Sequence, residues 1–270
     1  MQNPAVPDSR RLVLGAAVGL RIAQVRVFVR SLRASGYCGD VLMLVSPYQW
    51  LLMLWLRRYG VRTRPMTVTR KVTGPIYAAR FQKFAACLAA AAPRYDEVMI
   101  SDVRDVAFQA HPFPRDLTAG CQFYLEGGGK TIGEEPTNLR WMNIFLPPAQ
   151  VDALRPCRVS CCGVTIGPTA AMTKYLTRLT AYLHALPLRL RRQIGADTVF
   201  HNLMVHGTGE APGRTVENNV HVATLGLELA SAYQIAPDGE IRAASGQVPA
   251  ILHQYDRIST VAAAVAARFS

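Results

Sequence analysis

Short apolar runs alternate along the chain with segments whose apolar residues recur at helical spacing. The first run, Leu12 to Ala17, has the length of a buried strand, and Gly19 follows it in a predicted turn. Apolar residues then recur three or four positions apart between Ile22 and Leu32, which places them on one face of a helix. The first unit is therefore predicted to be a strand, a glycine-bearing turn and a helix.

The same alternation continues to the end of the chain. Further predicted strands cover residues 41–45, 61–63, 97–101, 120–125, 163–166 and 248–252. Further predicted helices cover residues 47–59, 77–92, 169–186, 197–205 and 258–269. This order predicts an α/β, Rossmann-like fold with a mostly parallel central sheet flanked by helices. Since no repeat or long linker interrupts the pattern, residues 1–270 are predicted to form a single domain.

Composition excludes some classes of protein and indicates the charge of a partner. Half of the 270 residues are apolar, which argues against a disordered chain. The formal net charge is +12, and 26 of the 30 basic residues are arginine. Such a charge favours nucleic acid, an acidic membrane face or a phosphorylated small molecule as partner, and a solvated basic surface is an equal alternative.

Cysteine spacing and the apolar runs bear on the compartment. The six cysteines contain no Cys-x-x-Cys pair, so free thiols in a reducing compartment are predicted. No signal-peptide pattern is evident, and Ser46 and Pro47 split the apolar run Val41 to Leu56 into pieces too short to span a bilayer. A cytoplasmic protein is predicted. Trp50 to Leu56, followed by Arg57-Arg58, is expected to pack on the sheet, with contact to the inner face of an anionic membrane as the alternative.

The most informative stretch is the apolar strand that runs into Asp102 and Asp105. Ligands bind at the carboxyl ends of strands in open α/β sheets. In an extended chain the two carboxylates would lie roughly 10 Å apart on opposite faces, so one divalent ion could bind both only if the chain turns after Asp102. The alternative is a pair of ordinary strand-end carboxylates, with Asp105 paired to Arg104 or Arg80. The spacing alone favours that alternative.

Five blocks in order carry a resemblance to a known family. Asp102-Val103-Arg104-Asp105 resembles the D-x-D-type motif of GT-A fold nucleotide-sugar glycosyltransferases, and in its D-x-x-D form it is similar to the glycosyltransferase domain of lysyl hydroxylases. The other blocks resemble segments of glycogenin-like enzymes, and they are Arg80 to Phe84 with Pro93 to Val98, Cys162-Gly163-Val164, Gly195 to Thr198, and Leu252 to Tyr255. The chain departs from the pattern at Cys161-Cys162, where a polar pair is usual, and at Thr198, where glutamine is usual.

The resemblance implies a GT-A type domain with a metal centre. Its nucleotide-binding part would cover about residues 10–110, its acceptor- and sugar-binding part about 111–257, and its terminal helix 258–270. Asp102, Asp105 and His253 would bind Mn²⁺ or Mg²⁺, and the imidazole nitrogen favours Mn²⁺. A strand-end histidine that is hydrogen-bonded to the backbone is the alternative for His253.

Donor-binding residues are predicted on the first half of the chain and near its end. Arg80, Lys83 and Arg257 are candidates for contact with the donor phosphates, and a solvated helix face is the alternative for Lys83. Gly15 and Ala16 open a turn that could lie near the nucleotide, although the sequence is not a G-x-G-x-x-G fingerprint. Gly163 is a further candidate through its block of the resemblance.

Three other carboxylates are candidates for chemistry at the acceptor. Asp197 is the first choice, with a helix N-cap as its alternative role. Glu126, beside a triple-glycine loop that we expect to be mobile, and Asp256 are second. An inverting enzyme needs a general base on the acceptor hydroxyl, a retaining one can act without it, and the resemblance favours retention.

The predicted function is therefore metal-dependent transfer of a sugar from a nucleotide diphosphate. UDP is the default that the resemblance implies, with a glycan or lipid-linked hydroxyl as acceptor in cell-surface polysaccharide biosynthesis. One alternative is a basic nucleic-acid-binding protein, but the arginines are scattered and no nucleic-acid-binding motif occurs. The other is a protein that binds sugar nucleotides without transferring them.

Overall fold

Twelve strands and nine helices are present in the computed structural model, which describes residues 6–68, 76–91, 94–115, 117 and 120–269. The strands are β1 (Arg11–Ala16), β2 (Asp40–Val45), β3 (Val61–Pro65), β4 (Glu97–Ser101), β5 (Val106–Phe108), β6 (Cys121–Leu125), β7 (Ser160–Pro168), β8 (Gly213–Val216), β9 (Val222–Thr224), β10 (Tyr233–Ile235), β11 (Ile241–Ala243) and β12 (Ile251–His253). The helices are α1 (Ile22–Ala34), α2 (Trp50–Arg58), α3 (Ile76–Ala91), α4 (Pro136–Phe145), α5 (Pro148–Leu154), α6 (Thr169–Ala185), α7 (Leu188–Arg191), α8 (Ala196–Asn202) and α9 (Ser259–Phe269).

A seven-stranded sheet lies at the centre, in the order β3-β2-β1-β4-β7-β6-β8. All neighbouring pairs in it are parallel except the two that β7 makes with β4 and β6. Helices flank this sheet, so the predicted α/β, mostly parallel and Rossmann-like class is confirmed. The Ala-rich helix predicted to run to residue 92 is α3, and residues 92 and 93 lie outside the described part of the chain.

Two hydrophobic cores cover the two faces of the sheet. Along β1, Leu12 and Leu14 pack with α3, α6 and α8, whereas Val13 points the other way and packs with α1 and α2. This alternation follows from the period of two along a strand. Both faces of β1 are therefore buried, which is why parallel strands of this kind appear in the sequence as continuous apolar runs.

A three-stranded sheet, in the order β5-β12-β9, carries His253 at the end of its central strand. The strand predicted at 248–252 is found at Ile251–His253, so His253 ends the strand rather than following it. Pairing with β5 and β9 sets these bounds, and Pro249, which has no N–H to donate, lies before the strand. The antiparallel hairpin β10–β11 pairs with neither sheet but shares a hydrophobic core with β9 and β12.

Two other predicted elements differ from the structure. The helix predicted at 47–59 begins at Trp50, after a turn in which the Gln49 side chain accepts a hydrogen bond from Ser46 N at 2.7 Å. The helix predicted at 197–205 is α8 followed by a π-helical turn, Leu203–Gly207. All six cysteines have free thiols. Within the described ranges, no helix has both the length and the apolar character needed to cross a bilayer.

Candidate functional site

The chain turns directly after β4, and the turn brings Asp102 and Asp105 together. Each of Asp102, Asp105 and His253 offers one ligand atom, and these atoms all lie within 4.8 Å of one another. The roughly 10 Å separation of an extended chain therefore does not occur. The three side chains stand at the carboxyl ends of β4 and β12, which is the edge of the sheet where ligands bind in open α/β folds.

Backbone hydrogen bonds hold the three side chains in register. Gln254 N donates to Asp105 O at 2.8 Å, and Asp102 N donates to Gly163 O at 2.7 Å. His253 lies opposite Val106, the residue after Asp105, in the antiparallel pair β12–β5. The position of the histidine is thus set by strand pairing and does not require a bound ion.

The donor atoms fit a divalent cation. His253 Nε2 is buried, lies 3.4 Å from Asp102 Oδ2 and makes no hydrogen bond with any described residue. Its Nδ1 lies 3.3 Å from Cys161 Sγ, which leaves Nε2 as the nitrogen that faces the carboxylates. Two carboxylates and one imidazole suit Mn²⁺ well. The alternative in which His253 is a strand-end histidine bonded to the backbone is not what the geometry shows, since its nearest polar atoms belong to side chains.

Gly163 on β7 provides the space beside these groups. A Cβ built at Gly163 would lie 2.5 Å from His253 Cε1 and 2.8 Å from Asp102 Oδ2, closer than real Cβ contacts come. Any other residue here would therefore displace one of the two candidate ligands. Gly163 was predicted as a donor-binding candidate, and in the structure its lack of a side chain leaves room for His253 and Asp102.

Arg80 on α3 is the buried cation next to the cluster. Its guanidinium makes an ion pair with Asp102, and Nη2 lies 4.0 Å from Asp197 Oδ2. Burial opposes ionisation of Asp102, but the charge of Arg80 and the contact with His253 hold the pKa of that carboxyl well below its usual range. Asp105 does not pair with Arg80. Arg104 Nη2 lies 3.7 Å from it, and burial together with the charge of Asp102 raises its pKa.

A cavity of about 450 Å³ opens from the cluster toward three further carboxylates, Glu126, Glu135 and Asp197. Burial raises the pKa of Glu126 to about 7, with a smaller increase from the charge of Glu135 and an opposing effect of His253. Burial also raises the pKa of Asp197 to about 6, although Arg80 acts against the increase. Carboxylates that titrate near neutral pH in a cleft are typical of functional sites.

The helix α8 positions Asp197 without using it as the N-cap. Gly195 is the N-cap residue, with a φ of 94° that glycine adopts without strain, so the N-cap interpretation of Asp197 is wrong. A Cβ at Gly195 would also lie 2.3 Å from Trp141 Cδ2. Cys162 Sγ lies 3.8 Å from Asp197 Oδ2 and 3.5 Å from Thr198 Oγ1, so both departures from the family pattern border the same carboxylate.

A second cavity of about 260 Å³ lies on the other side of the carboxylates. Arg80, Asp102 and Asp105 line both cavities, and Ala16 at the end of β1 lines the smaller one. Gly15 lines neither: it is buried in β1, where a Cβ would lie 2.7 Å from Val103 Cγ2. Its smallness therefore serves the packing of the turn after β4.

The remaining predicted site residues divide into those inside and those outside the cavities. Arg257 is exposed and lines the larger cavity. Lys83 is exposed on α3, one turn beyond Arg80, and lies outside the linings of both cavities, as its solvated alternative predicted. Asp256 pairs with Arg104 at 3.2 Å and also lies outside the linings. The triple glycine after Glu126 forms a 3₁₀ turn that packs against Glu228.

Residues of α4 were not anticipated from the sequence. Glu135 caps the helix by accepting from Asn138 N at 2.6 Å, and Asn138 Oδ1 is buried without a described partner at the cavity. Trp141 supplies an apolar wall on the same lining. Glu135 followed by Pro136 is a helix-start pattern, since proline is favoured at the first helical position, and it could have revealed α4.

Comparison with known proteins assigns no family. No protein-family model matches the chain, and no curated protein matches its sequence.

Proposed function

We propose that the protein is a metal-dependent glycosyltransferase of GT-A type that takes its sugar from a nucleotide diphosphate. The single observation that carries the proposal is the Asp102, Asp105 and His253 cluster, which stands between two cavities at the carboxyl edge of the sheet. The smaller cavity suits the nucleoside because it reaches the end of β1. The larger one suits the sugar and its acceptor.

Charge placement supports binding of a diphosphate between the cavities. A divalent cation held by Asp102, Asp105 and His253 would supply positive charge to the departing diphosphate. Arg80 orients Asp102, and Arg257 offers an exposed guanidinium at the rim. Arginine can hold two phosphate oxygens through its planar fork, so Arg257 is the better placed of the predicted phosphate contacts.

The two carboxylates with pKa values near neutral can act at the acceptor. Glu126, with a pKa of about 7, can accept a proton from a hydroxyl at neutral pH. Asp197 can bind an acceptor or sugar hydroxyl beside Trp141, and such pairing of a carboxylate with an apolar wall is common where sugars bind. The resemblance favours retention, and the anomeric configuration of the product, read by NMR, tests it.

The two alternatives make different demands on the cavity. A protein that only binds sugar nucleotides needs no carboxylate near neutral pKa, whereas this cavity holds two. A nucleic-acid-binding protein needs its basic side chains along a groove, whereas Arg80 is buried and engaged by Asp102.

The test is binding and turnover of UDP-sugars with and without Mn²⁺. We expect UDP binding to require Mn²⁺ in the parent. Asp102→Asn and Asp105→Asn should lower turnover by about 10²–10³-fold, because each removes a ligand of the cation that would stabilise the departing diphosphate. The matched control is Asp152→Asn, an exposed carboxylate on α5. Binding that is independent of metal and unchanged in both site variants would exclude the proposed centre.

A further inference from the structure

The outer face of α2 and the turn before it expose an unusual set of large apolar side chains. Tyr48, Trp50, Leu51 and Leu54 are 86%, 60%, 58% and 54% exposed. We call this set the α2 face. The opposite side of the helix is buried through Leu52 and Leu56, so the exposure does not come from a loosely packed helix. A contiguous apolar patch of this kind typically marks an interaction surface.

Basic residues continue the same face toward the end of the helix. Arg57 and Arg58 are exposed, and at 100° per residue they share the outward side with Trp50 and Leu54. Arg57 lies about 10 Å along the axis from Trp50 at 1.5 Å per residue. Trp50 and Leu54 thus stand about one to two turns ahead of two guanidinium groups.

Basic residues are concentrated in the first third of the sequence. Residues 9–95 contain 15 of the 30 basic residues and one of the 18 acidic residues, Asp40. Asp40 begins β2 and pairs with Arg94 at 2.9 Å and with Arg62 at 3.4 Å. Among the residues that the structure describes, no carboxylate makes an ion pair with Arg57 or Arg58.

The α2 face adjoins the mouth of the site. Gln49 ties the turn after β1 to the turn after β2, because its Nε2 donates to Leu20 O at 2.6 Å and its Oε1 accepts from Gly19 N at 3.0 Å. Leu20 lines an apolar groove of about 430 Å³ with Trp50 and Leu51, and it also lines the smaller cavity beside Asp102. A surface that covers the α2 face would therefore lie beside the proposed donor cavity.

We propose that the α2 face docks on an anionic membrane surface. The aromatic and leucine side chains enter the boundary between headgroups and acyl chains, and Arg57 and Arg58 contact lipid phosphates. A second copy of this chain fits less well, since a two-fold contact across this face would bring the unneutralised arginines together. Nucleic acid would leave the exposed leucines without a partner. The docking goes beyond the proposed function and does not depend on it.

The experiment is flotation with vesicles of phosphatidylcholine alone or with 30% phosphatidylglycerol, without nucleotide or metal. We expect the full chain to float only with the anionic vesicles and less at high salt. Trp50→Ser with Leu54→Ser should weaken partitioning about tenfold or more, since both side chains are apolar anchors. Arg57→Gln with Arg58→Gln should weaken it about 30-fold.

Matched controls are Leu188→Ser with Leu229→Ser, exposed apolar residues elsewhere, and Arg140→Gln with Arg189→Gln, which remove the same charge. Both controls should float like the parent. The proposal is overturned if the parent does not float with anionic vesicles, or if the α2 face variants float as the parent does. Two further results would overturn it, each in a protein that does not bind vesicles. One is that Leu54→Asp converts a dimer to a monomer, and the other is that the Arg57 and Arg58 changes abolish RNA binding.

Discussion

Carboxylates are paired with basic side chains at the amino end of the central strands, whereas they outnumber the buried basic side chains at the carboxyl end. At the amino end, Arg11 of β1 donates to Glu97 of β4 at 2.7 Å and pairs with Asp8 at 3.2 Å. At the carboxyl end, five carboxylates share the cavities with Arg80 as the buried guanidinium of their lining. These five are Asp102, Asp105, Glu126, Glu135 and Asp197.

Proton affinities record the difference. Burial opposes ionisation of Asp8, but hydrogen bonds from Cys38 N and His111 outweigh it and lower the pKa of that carboxyl. At the carboxyl end the charge of Arg80 outweighs burial and lowers the pKa of Asp102, whereas burial raises the pKa values of Asp105, Glu126 and Asp197. The amino end therefore stabilises the fold, whereas the carboxyl end holds negative charge that favours binding of a cation.

The largest expected effect concerns Glu126. If it is the base, turnover rises with pH through about 7, because only the carboxylate accepts the proton, and it levels above that value. Glu126→Gln should lower turnover by about 10²–10⁴-fold. Stopped assays from pH 5.5 to 8.5 measure this. A loss below tenfold, with the pH dependence retained, would remove the base role and favour a retaining mechanism without it.

Substitutions at the amino end of the strands should lower the free energy of unfolding without changing the candidate site. Arg11→Met leaves Glu97 buried without its partner and should lower the free energy of unfolding by about 3–5 kcal/mol. Arg10→Met removes the exposed pair with Asp96 and should lower the free energy of unfolding far less than Arg11→Met does. Urea titration gives both values. Equal losses in the two variants would show that burial of the pair does not matter.

A substitution of Asp197 tests whether the buried carboxylates at the carboxyl end destabilise the fold when they are ionised. Its folded-state pKa of about 6 lies above the unfolded value of 3.8, so the unfolded chain releases the proton first as the pH rises. The Asp197 carboxyl therefore contributes a fall of about 3 kcal/mol in the free energy of unfolding between about pH 4 and pH 6. Asp197→Asn should lack this fall and be the more stable protein at pH 8, but not at pH 4.

Urea titrations of the parent and Asp197→Asn at both pH values measure the effect. The exposed Asp152→Asn serves as the control, and it should not change the pH dependence. An Asp197→Asn variant that is less stable than the parent at pH 8 would contradict the comparison.

The smallest effect is stabilisation by the cation itself. Mn²⁺ at 100 times its Kd should raise the free energy of unfolding by about 2.7 kcal/mol. Asp105→Asn should abolish most of the gain, whereas Arg11→Met should keep it despite its lower stability. Thermal unfolding with Mn²⁺ or EDTA gives the answer. A gain retained in Asp105→Asn would place the cation elsewhere.

The parallel half of the fold could be predicted because its strands are five or six residues long and lie between amphipathic helices. Buried runs such as those of β1 and β4 need no distant partner to be recognised. The strands β5, β9 and β12 have three residues each, too few to show a period, and their bounds depend on pairing across the chain. The antiparallel direction of β7 also cannot be recognised from its local sequence.

Some site residues could be predicted from the sequence and others could not, because their positions also depend on contacts between distant parts of the chain. Asp102 and Asp105 stand out by following an apolar strand, yet their spacing argued against a shared ion until the turn was known. His253 rested on the resemblance. Asn138 and Trp141 reach the cavity through α4, whose position on the sheet depends on tertiary packing rather than on local pattern.

The strand pairing that joins Asp105 to His253 also sets an order of events during synthesis. About 150 residues separate the two, and ribosomes add roughly 5–20 residues each second. The first two carboxylates thus leave the ribosome roughly 7–30 seconds before the histidine that completes the cluster. A nascent chain can fold β1 to β4 early, but it completes the cluster of candidate ligands only after His253 has been added, so a chain that stops before His253 cannot bind a metal through all three groups.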